Sequence, residues 1–248
     1  LSRTPRPAKA RRTHERPPQL EPPRPKPTAR QTRAQDTRER ILEAALFEFA
    51  EFGVSGVALR DISARSQVPL SALHYHFGSK EDLFSAAIEH IFRKLQDGRL
   101  ALLRKLETTT RRPSLEAVLE AFVIPTLKLA AEAEGRAYLR LQARMYDARE
   151  VVNDRLMYIV LETTAPFRRA IAEALPGLPE EELIRGYRAL VRDVLGAIAD
   201  PTYELLTGKP SLPTGKAARA LIALLVRFHA AGLRALWEAH SDKAAKPT

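Results

Sequence analysis

From Asp36 onward, apolar residues recur every three or four positions. In DTRERILEAALFEFAEFG, residues Ile41, Ala45, Leu46, Phe49 and Phe52 fall on one stripe, the spacing of an amphipathic helix. Asp36 and Glu39 have the capping-box separation and Gly53 offers a left-handed stop, so one helix of roughly 17 residues is predicted between them. ALRDISARSQ then points Leu59 and Ile62 inward and Arg60, Asp61 and Arg65 outward. In VPLSALHYHF the apolar anchors are Val68, Leu73 and Phe77. Pro69 suits its first helical position, where a missing N–H costs nothing, and Gly78 ends it. Ser79 and Asp82 repeat the capping spacing and open a long helix through Leu83, Phe84, Ala87, Ile88, Ile91 and Leu95. Further amphipathic helices are predicted over 114–133, 137–149, 151–175, 179–200 and 215–240, with breaks at LPGLPEEE (175–182) and DPTYELLTGKPSLPTG (200–215). No useful length alternates as a strand would, so the fold class is all-α. Three N-terminal helices, two of them short and tightly joined, match the helix-turn-helix plan. A helical C-terminal domain follows.

Charge divides the chain further. Of a net +10, residues 1–33 carry +8, with ten Lys/Arg against Glu15 and Glu21, and eight of the 18 prolines. This composition predicts a disordered basic arm able to attract phosphates non-specifically. The expected boundaries are 1–33 for the arm, 34–80 for the helix-turn-helix domain, 81–240 for the helical C-terminal domain, and 241–248 for a disordered tail. The chain has no cysteine, which rules out thiol chemistry and disulfide scaffolds. It shows no uninterrupted apolar run of about 18 residues and no secretory signal, so a cytoplasmic protein that does not enter the membrane is expected.

The cluster His74-Tyr75-His76 invites a metal or catalytic reading. Residues two apart on a helix project about 200° from each other, so the two histidines cannot share one ion. No HExxH pair, phosphate loop or paired catalytic carboxylates occur elsewhere, so neither an enzyme nor a cofactor or metal site is expected.

ALRDISARSQVPLSALHYHFGSKEDLF, residues 58–84, resembles the DNA-binding segment of the TetR family of transcriptional regulators, whose pattern is roughly T-x-R-D-I-A, a turn, then V-x-x-x-x-L-Y-x-H-F-x-S-K-E-x-L. The match includes Gly53, Arg60, Asp61, Ile62, Val68, Leu73, Tyr75, His76, Phe77, Ser79, Lys80 and Leu83. The form LSALHYHFGSK looks closest to the subgroup that controls fatty-acid metabolism. Two positions depart: Val57 and Ala58 stand where the family has a capping Thr or Ser, and His74 where it has Tyr. The resemblance implies that Lys80 and Arg60 contact phosphates, and that a homodimer places two recognition helices on a palindromic operator of double-stranded DNA. Leu70, Ser71 and Ala72, at the start of that helix, have the best access to base edges. His74, Tyr75 and His76, off the apolar stripe, face phosphates, sugars or thymine methyls.

In the C-terminal half, Pro125 within AFVIPTLKLA predicts a kinked helix with room for a small apolar effector, such as a fatty acid or acyl-CoA. Phe122, Leu141, Met145, Tyr146, Tyr158, Leu161 and Phe167 are the candidate walls beside Pro125. The apolar positions of the last two helices, Leu183 to Ile198 and Leu221 to Leu236, are candidates for dimerisation. A non-catalytic binding or structural protein, attached to nucleic acid or membrane only by its basic arm, is the alternative that remains open.

Overall fold

The computed structural model describes residues 29–147, 154–199, 201–212 and 214–244, and among them every regular element is a helix. They are α1 (Ala29–Gly56), α2 (Leu59–Ser66), α3 (Leu70–Phe77), α4 (Lys80–Thr109), α5 (Leu115–Ala130), α6 (Ala133–Asp147), α7 (Asp154–Ala174), α8 (Glu180–Ala199), α9 (Pro201–Thr207) and α10 (Gly215–Ala244). The all-α class and its division into a helix-turn-helix unit and a helical C-terminal unit hold.

Several boundaries differ from the pattern-based ones. α1 already runs from Ala29, so Asp36 lies inside it and caps nothing. Gln35 Nε2 donates to Glu39 Oε1 (2.7 Å) and Thr37 Oγ1 to the Arg33 carbonyl (2.9 Å), both contacts between helical turns. Gly53 does break the helix, with φ 72° and ψ 167°, a backbone state closed to most side chains. α10 continues to Ala244. The expected disorder of the arm before Ala29 and of the last residues after Ala244 lies outside the described residues. α9 occupies part of the predicted break at 200–215. There Glu204 Oε1 accepts from both the N–H (2.9 Å) and the hydroxyl (3.0 Å) of Ser211 and folds the following loop back. Those bonds hold the Glu204 carboxyl below the usual carboxylate range.

One hydrophobic core runs through both units. Ile41, Ala45, Leu46 and Phe49 on α1 are buried against Ile62, Leu73, Leu83 and Phe84, and the Phe49 and Phe84 rings meet edge-to-face at 5.2 Å. α4 has 30 residues, about 45 Å at 1.5 Å per residue. Its first turns close the helix-turn-helix unit and its later ones pack on α5. The α4–α5 crossing is close: a Cβ on Gly98 would stand 3.5 Å from the Pro125 ring. Beside it Arg99, only 6% exposed, donates from Nε to the Phe122 carbonyl (3.1 Å) and from Nη2 to Thr126 Oγ1 (2.7 Å).

On α8, the apolar face expected to dimerise is instead the chain's own core. Leu183, Tyr187, Leu190, Val194, Leu195 and Ile198 are all buried within the chain. α8 packs against α6 and α10, which the linear pattern cannot distinguish from packing against a second copy. On α10 the expected positions Leu221, Ile222, Leu225, Phe228, Gly232, Ala235 and Leu236 split: Leu225 turns inward together with Val226, Ala230 and Leu233, whereas Phe228 is 68% exposed and its neighbour Leu224 60%. Residues Gly215–Ser241 of α10 are long and apolar enough by composition to cross a bilayer. Lys216, Arg219, Arg227, Arg234 and Glu238 interrupt this stretch, so it holds no unbroken apolar run of that length. Two of its polar side chains are tied to the bundle: Arg234 Nη2 lies 2.5 Å from Glu116 Oε1 on α5, and His229 Nε2 lies 2.8 Å from Asp193 Oδ2 on α8.

Candidate nucleic-acid interface

The helix-turn-helix is held by backbone contacts that its sequence makes available. α2 begins after Ala58, which has no side chain able to cap. Asp61 supplies half of a capping box, its Oδ2 accepting from the Ala58 N–H at 3.1 Å. The turn passes through Gln67 in the left-handed region (φ 54°, ψ 37°). Ser63 Oγ spans it to the Val68 carbonyl at 2.7 Å, and Arg40 Nη2 of α1 donates to the Ser66 carbonyl at 2.6 Å. Pro69 is the residue before α3 rather than its first member. Its extended ψ of 144° sets the entry, and its carbonyl accepts from the Ala72 N–H at 2.9 Å.

Leu73, at 1% exposure, fixes which face of α3 turns inward. Phe77 is half-buried beneath the Arg38 guanidinium, 5.2 Å from its ring centroid. The outward face carries Leu70, Ser71, His74 and Tyr75, with Tyr75 86% exposed. The histidines separate in role. His74 Nδ1 lies 3.1 Å from the Gly78 carbonyl; since a carbonyl only accepts, Nδ1 carries the proton and Nε2 is turned elsewhere. His76 is half-buried between the rings of Tyr75 (5.3 Å) and Phe77 (6.1 Å). Ala72 is also half-buried and packs on the core, so it offers less to a groove than Ser71 does.

Gly78 (φ 74°) ends α3 and Ser79 caps α4. Ser79 Oγ accepts from the Asp82 N–H at 3.0 Å and donates to Asp82 Oδ2 at 2.6 Å. Replacing Ser79 by alanine is expected to cost ~1 kcal/mol, which a thermal melt registers as a drop of a few degrees. Lys80 donates from Nζ to the Val57 carbonyl at 3.2 Å, and an ammonium retains two further donors for a phosphate. Arg60 leaves 84% of its side chain exposed and reaches only 3.8 Å from Asp61. Tyr75, Ser71, Arg60 and Lys80 thus sit around one short helix and its two flanking termini, an arrangement suited to phosphate and groove contacts. No metal-holding group of three acidic, His or Cys side chains occurs among the described residues.

Residues 41–87 match the family described as bacterial regulatory proteins, tetR family, and residues 120–232 match the tetracyclin repressor-like, C-terminal domain. The chain belongs to the TetR family of transcriptional regulators. Over 55 residues it is 44% identical to the HTH-type transcriptional repressor Rv3405c of Mycobacterium tuberculosis, covering 22% of this chain and 29% of that one. Over 138 residues it is 27% identical to the HTH-type transcriptional repressor DhaR of Mycobacterium sp., covering 54% and 64% respectively. The chain therefore spans less than two thirds of the length of these curated relatives. A transcriptional regulator from Rhodococcus sp. Rha1 has the same fold, at TM-score 0.52 and 22% identity over 79% of this chain and 96% of that one.

Half of the expected effector residues in the C-terminal unit of this TetR-family chain belong to its buried core. Phe122, Pro125, Leu141 and Phe167 are buried; the side chains of Met145, Tyr146, Tyr158 and Leu161 lie outside the described residues. Phe122 meets Phe167 at 5.4 Å and Tyr187 at 5.3 Å, both edge-on, while the Arg99 guanidinium lies 3.6 Å over its ring. On the α4 side the Phe122 ring is therefore covered by Arg99, and the kink expected at Pro125 does not interrupt α5, which runs as one helix from Leu115 to Ala130. Neither Arg99 nor Tyr187 stood among the expected pocket residues, although Leu95, Arg99 and Leu103 share a four-residue spacing that sets a cation in an apolar stripe. A cleft of about 310 Å³ opens elsewhere, between α7 and α8, walled by Ala165, Arg168, Ala172 and Leu183.

Proposed function

We propose that this protein is a homodimeric, ligand-responsive transcriptional repressor that binds a palindromic operator and is released by a small apolar effector of the fatty-acid or acyl-CoA class. The observation that carries the DNA-binding part is the two-faced α3: Leu73 is fully buried while Tyr75 stands 86% exposed beside Ser71 and His74. An aromatic ring costs free energy in water, and one held out on a helix-turn-helix has a partner in view. In this reading residues 34–80 bind DNA, residues 81–240 bind effector and dimerise, and no catalysis or cofactor is involved. Arg60, Leu70, Ser71, His74, Tyr75, His76 and Lys80 share the contacts, with Ala72 confined to the edge. The protein acts in the cytoplasm, where its DNA is.

Dimerisation is supported by α10. Its outward side sets the large exposed Leu224 and Phe228 next to Ala231, Gly232 and Ala235, small residues that let two helices approach closely. The Arg234 guanidinium holds the Glu116 carboxyl below the usual carboxylate range. A helix so tied to α5 and α8 presents its apolar face to another protein rather than to lipid. Two copies place two recognition helices about 34–36 Å apart, on successive major grooves. Effector binding near Phe122 shifts the population toward a spacing that misses the operator, with α4 as the link between the units.

Selection of bound duplexes from a random pool tests the reading, since a dimer must recover a palindrome. With that duplex, Tyr75→Ala combined with Lys80→Ala is expected to weaken selective binding about ten- to hundredfold, ~1.4–2.8 kcal/mol. Unchanged selective binding in the double variant would sink the proposal and favour attachment through the basic arm alone.

A further inference from the structure

The cleft between α7 and α8 has the composition of a small-molecule site, and neither operator binding nor an effector beside Phe122 makes use of it. Its α7 wall is formed by Ala165, Arg168, Arg169 and Ala172, which at spacings of three and four residues share one face of the helix. The opposite face carries Phe167, Ala170 and Ile171 into the core, so the wall is held from behind. Leu178 and Leu183, both buried, complete the apolar lining. The loop that brings Leu178 there is anchored as well. The Leu178 N–H donates to the Leu175 carbonyl at 3.2 Å, and the Leu183 N–H to the Pro179 carbonyl at 3.0 Å. On the α10 side the Trp237 indole N–H donates to the Pro176 carbonyl at 2.7 Å. A hollow between elements tied in this way is largely preformed, as ligand sites are.

Two guanidinium groups border that apolar lining. Arg168 keeps only 25% of its side chain exposed, and its ion pair with Glu180 is long, 3.8 Å from Nη1 to Oε1. Glu180 stands largely in water, so the pair is weak and an incoming anion displaces it at little cost. Arg169 is exposed and makes no ion pair among the described residues. With Glu180 counted, the lining residues leave the cleft one net positive charge. An arginine receives a carboxylate through two parallel N–H···O bonds, and the alanines and leucines beside it suit an apolar body.

We infer that the α7–α8 cleft binds a small monocarboxylate, its carboxylate on Arg168 and Arg169 and its apolar body against Ala165, Ala172, Leu178 and Leu183. Size limits the class. At about 310 Å³ the cleft lies at the lower end of ligand pockets, ~300–1,000 Å³, which admits a medium-length aliphatic acid or an aromatic one and excludes a coenzyme A thioester. The site is distinct from the effector position beside Phe122, because α7 stands between them with Phe167 on one face and Arg168 on the other.

The test titrates octanoate into the full chain by calorimetry at low salt, with octanol as the uncharged control. Binding with a Kd of roughly 0.1–1 mM is expected, since a small ligand in an open cleft makes few contacts. The chain has one tryptophan, bonded to the loop that bears Leu178, so Trp237 emission should change along the same isotherm. Arg168→Gln combined with Arg169→Gln is expected to weaken octanoate at least about tenfold. Ala172→Glu, at an exposed position, sets a carboxylate in the cleft and should weaken it by a similar factor without disturbing the core. Octanol bound as tightly as octanoate overturns the inference, because the guanidinium groups would then play no part. Octanoate binding that both variants leave unchanged overturns it too, since the acid would then sit elsewhere. So does the absence of saturable binding up to about 10 mM. None of these results touches the effector reading, which is judged by release of the operator.

Discussion

Replacing Gly135 by alanine is expected to remove at least about 3 kcal/mol of stability, more than any truncation on the exposed face of α3. Gly135 stands in the first turn of α6, and a Cβ there would lie 1.9 Å from the Leu129 carbonyl oxygen and 2.6 Å from its carbonyl carbon. Backbone atoms have few ways to yield. The Leu129 carbonyl is already held in the α5–α6 turn by the Glu132 N–H at 3.0 Å. Arg136 pins the same turn by donating from Nη1 to the carbonyls of Ala130 (3.1 Å) and Ala131 (2.7 Å). A methyl group must therefore push α6 away from α5, exposing Tyr138 and Leu139, now about 1% exposed. Urea denaturation of Gly135→Ala against the parent measures the loss. A change below about 1 kcal/mol would mean that the turn relaxes freely and that the close approach is not needed.

Arg99→Ala is the second substitution with a large expected effect, about 3–5 kcal/mol. The guanidinium is buried between α4 and α5, bonded to the Phe122 carbonyl and the Thr126 hydroxyl, and stacked 3.6 Å over the Phe122 ring. Alanine removes two charge-assisted hydrogen bonds, a cation–π contact and the side-chain volume packed against the Phe122 ring. Arg99→Lys separates these contributions. Lysine keeps the charge but not the planar fork that reaches both acceptors, so it should recover less than half of the loss. The measurement is the midpoint and slope of denaturation for both variants. Equal stability of Arg99→Ala and the parent would show that packing around Phe122, not the guanidinium, holds α4 to α5. Because Ser79 caps α4 and Lys80 opens it at its other end, loosening this contact in the proposed dimer should broaden the spacing of the recognition helices and weaken operator binding as well.

Both residues show where linear patterns lose sight of the fold. Apolar spacing found nearly every helix, since a stripe at three- and four-residue intervals reports burial on one side whatever the partner is. It did not say what that partner is. Leu190 and Val194 on α8 carry the same signal whether they meet α6 and α10 or a second copy, and only the packed chain assigns them to its own core. The Asp36–Glu39 spacing failed for a related reason: a capping pair inside a longer helix looks the same in sequence as one at its start. Arg99 was hidden because single cations in apolar stripes usually lie at a surface, and its partners are a carbonyl and a hydroxyl more than twenty residues away.

The DNA-binding segment was the most legible part, because its contacts are local. Gly78, the Ser79–Asp82 cap and the Leu73–Phe77 stripe all act within a few residues, so type and spacing alone determine the turn, the stop and the buried face of the recognition helix. The charge asymmetry between the first 33 residues and the rest is likewise a property of the sequence. The tertiary structure decided which cations remain available, because whether an arginine is free for a phosphate depends on acceptors brought near by folding: Arg40 and Arg65 are taken and Arg60 is left in solvent. It also decided that α10 keeps an apolar face after the core is complete, since a helix has only one side to bury within its own chain and the exposed Leu224 and Phe228 lie on the other.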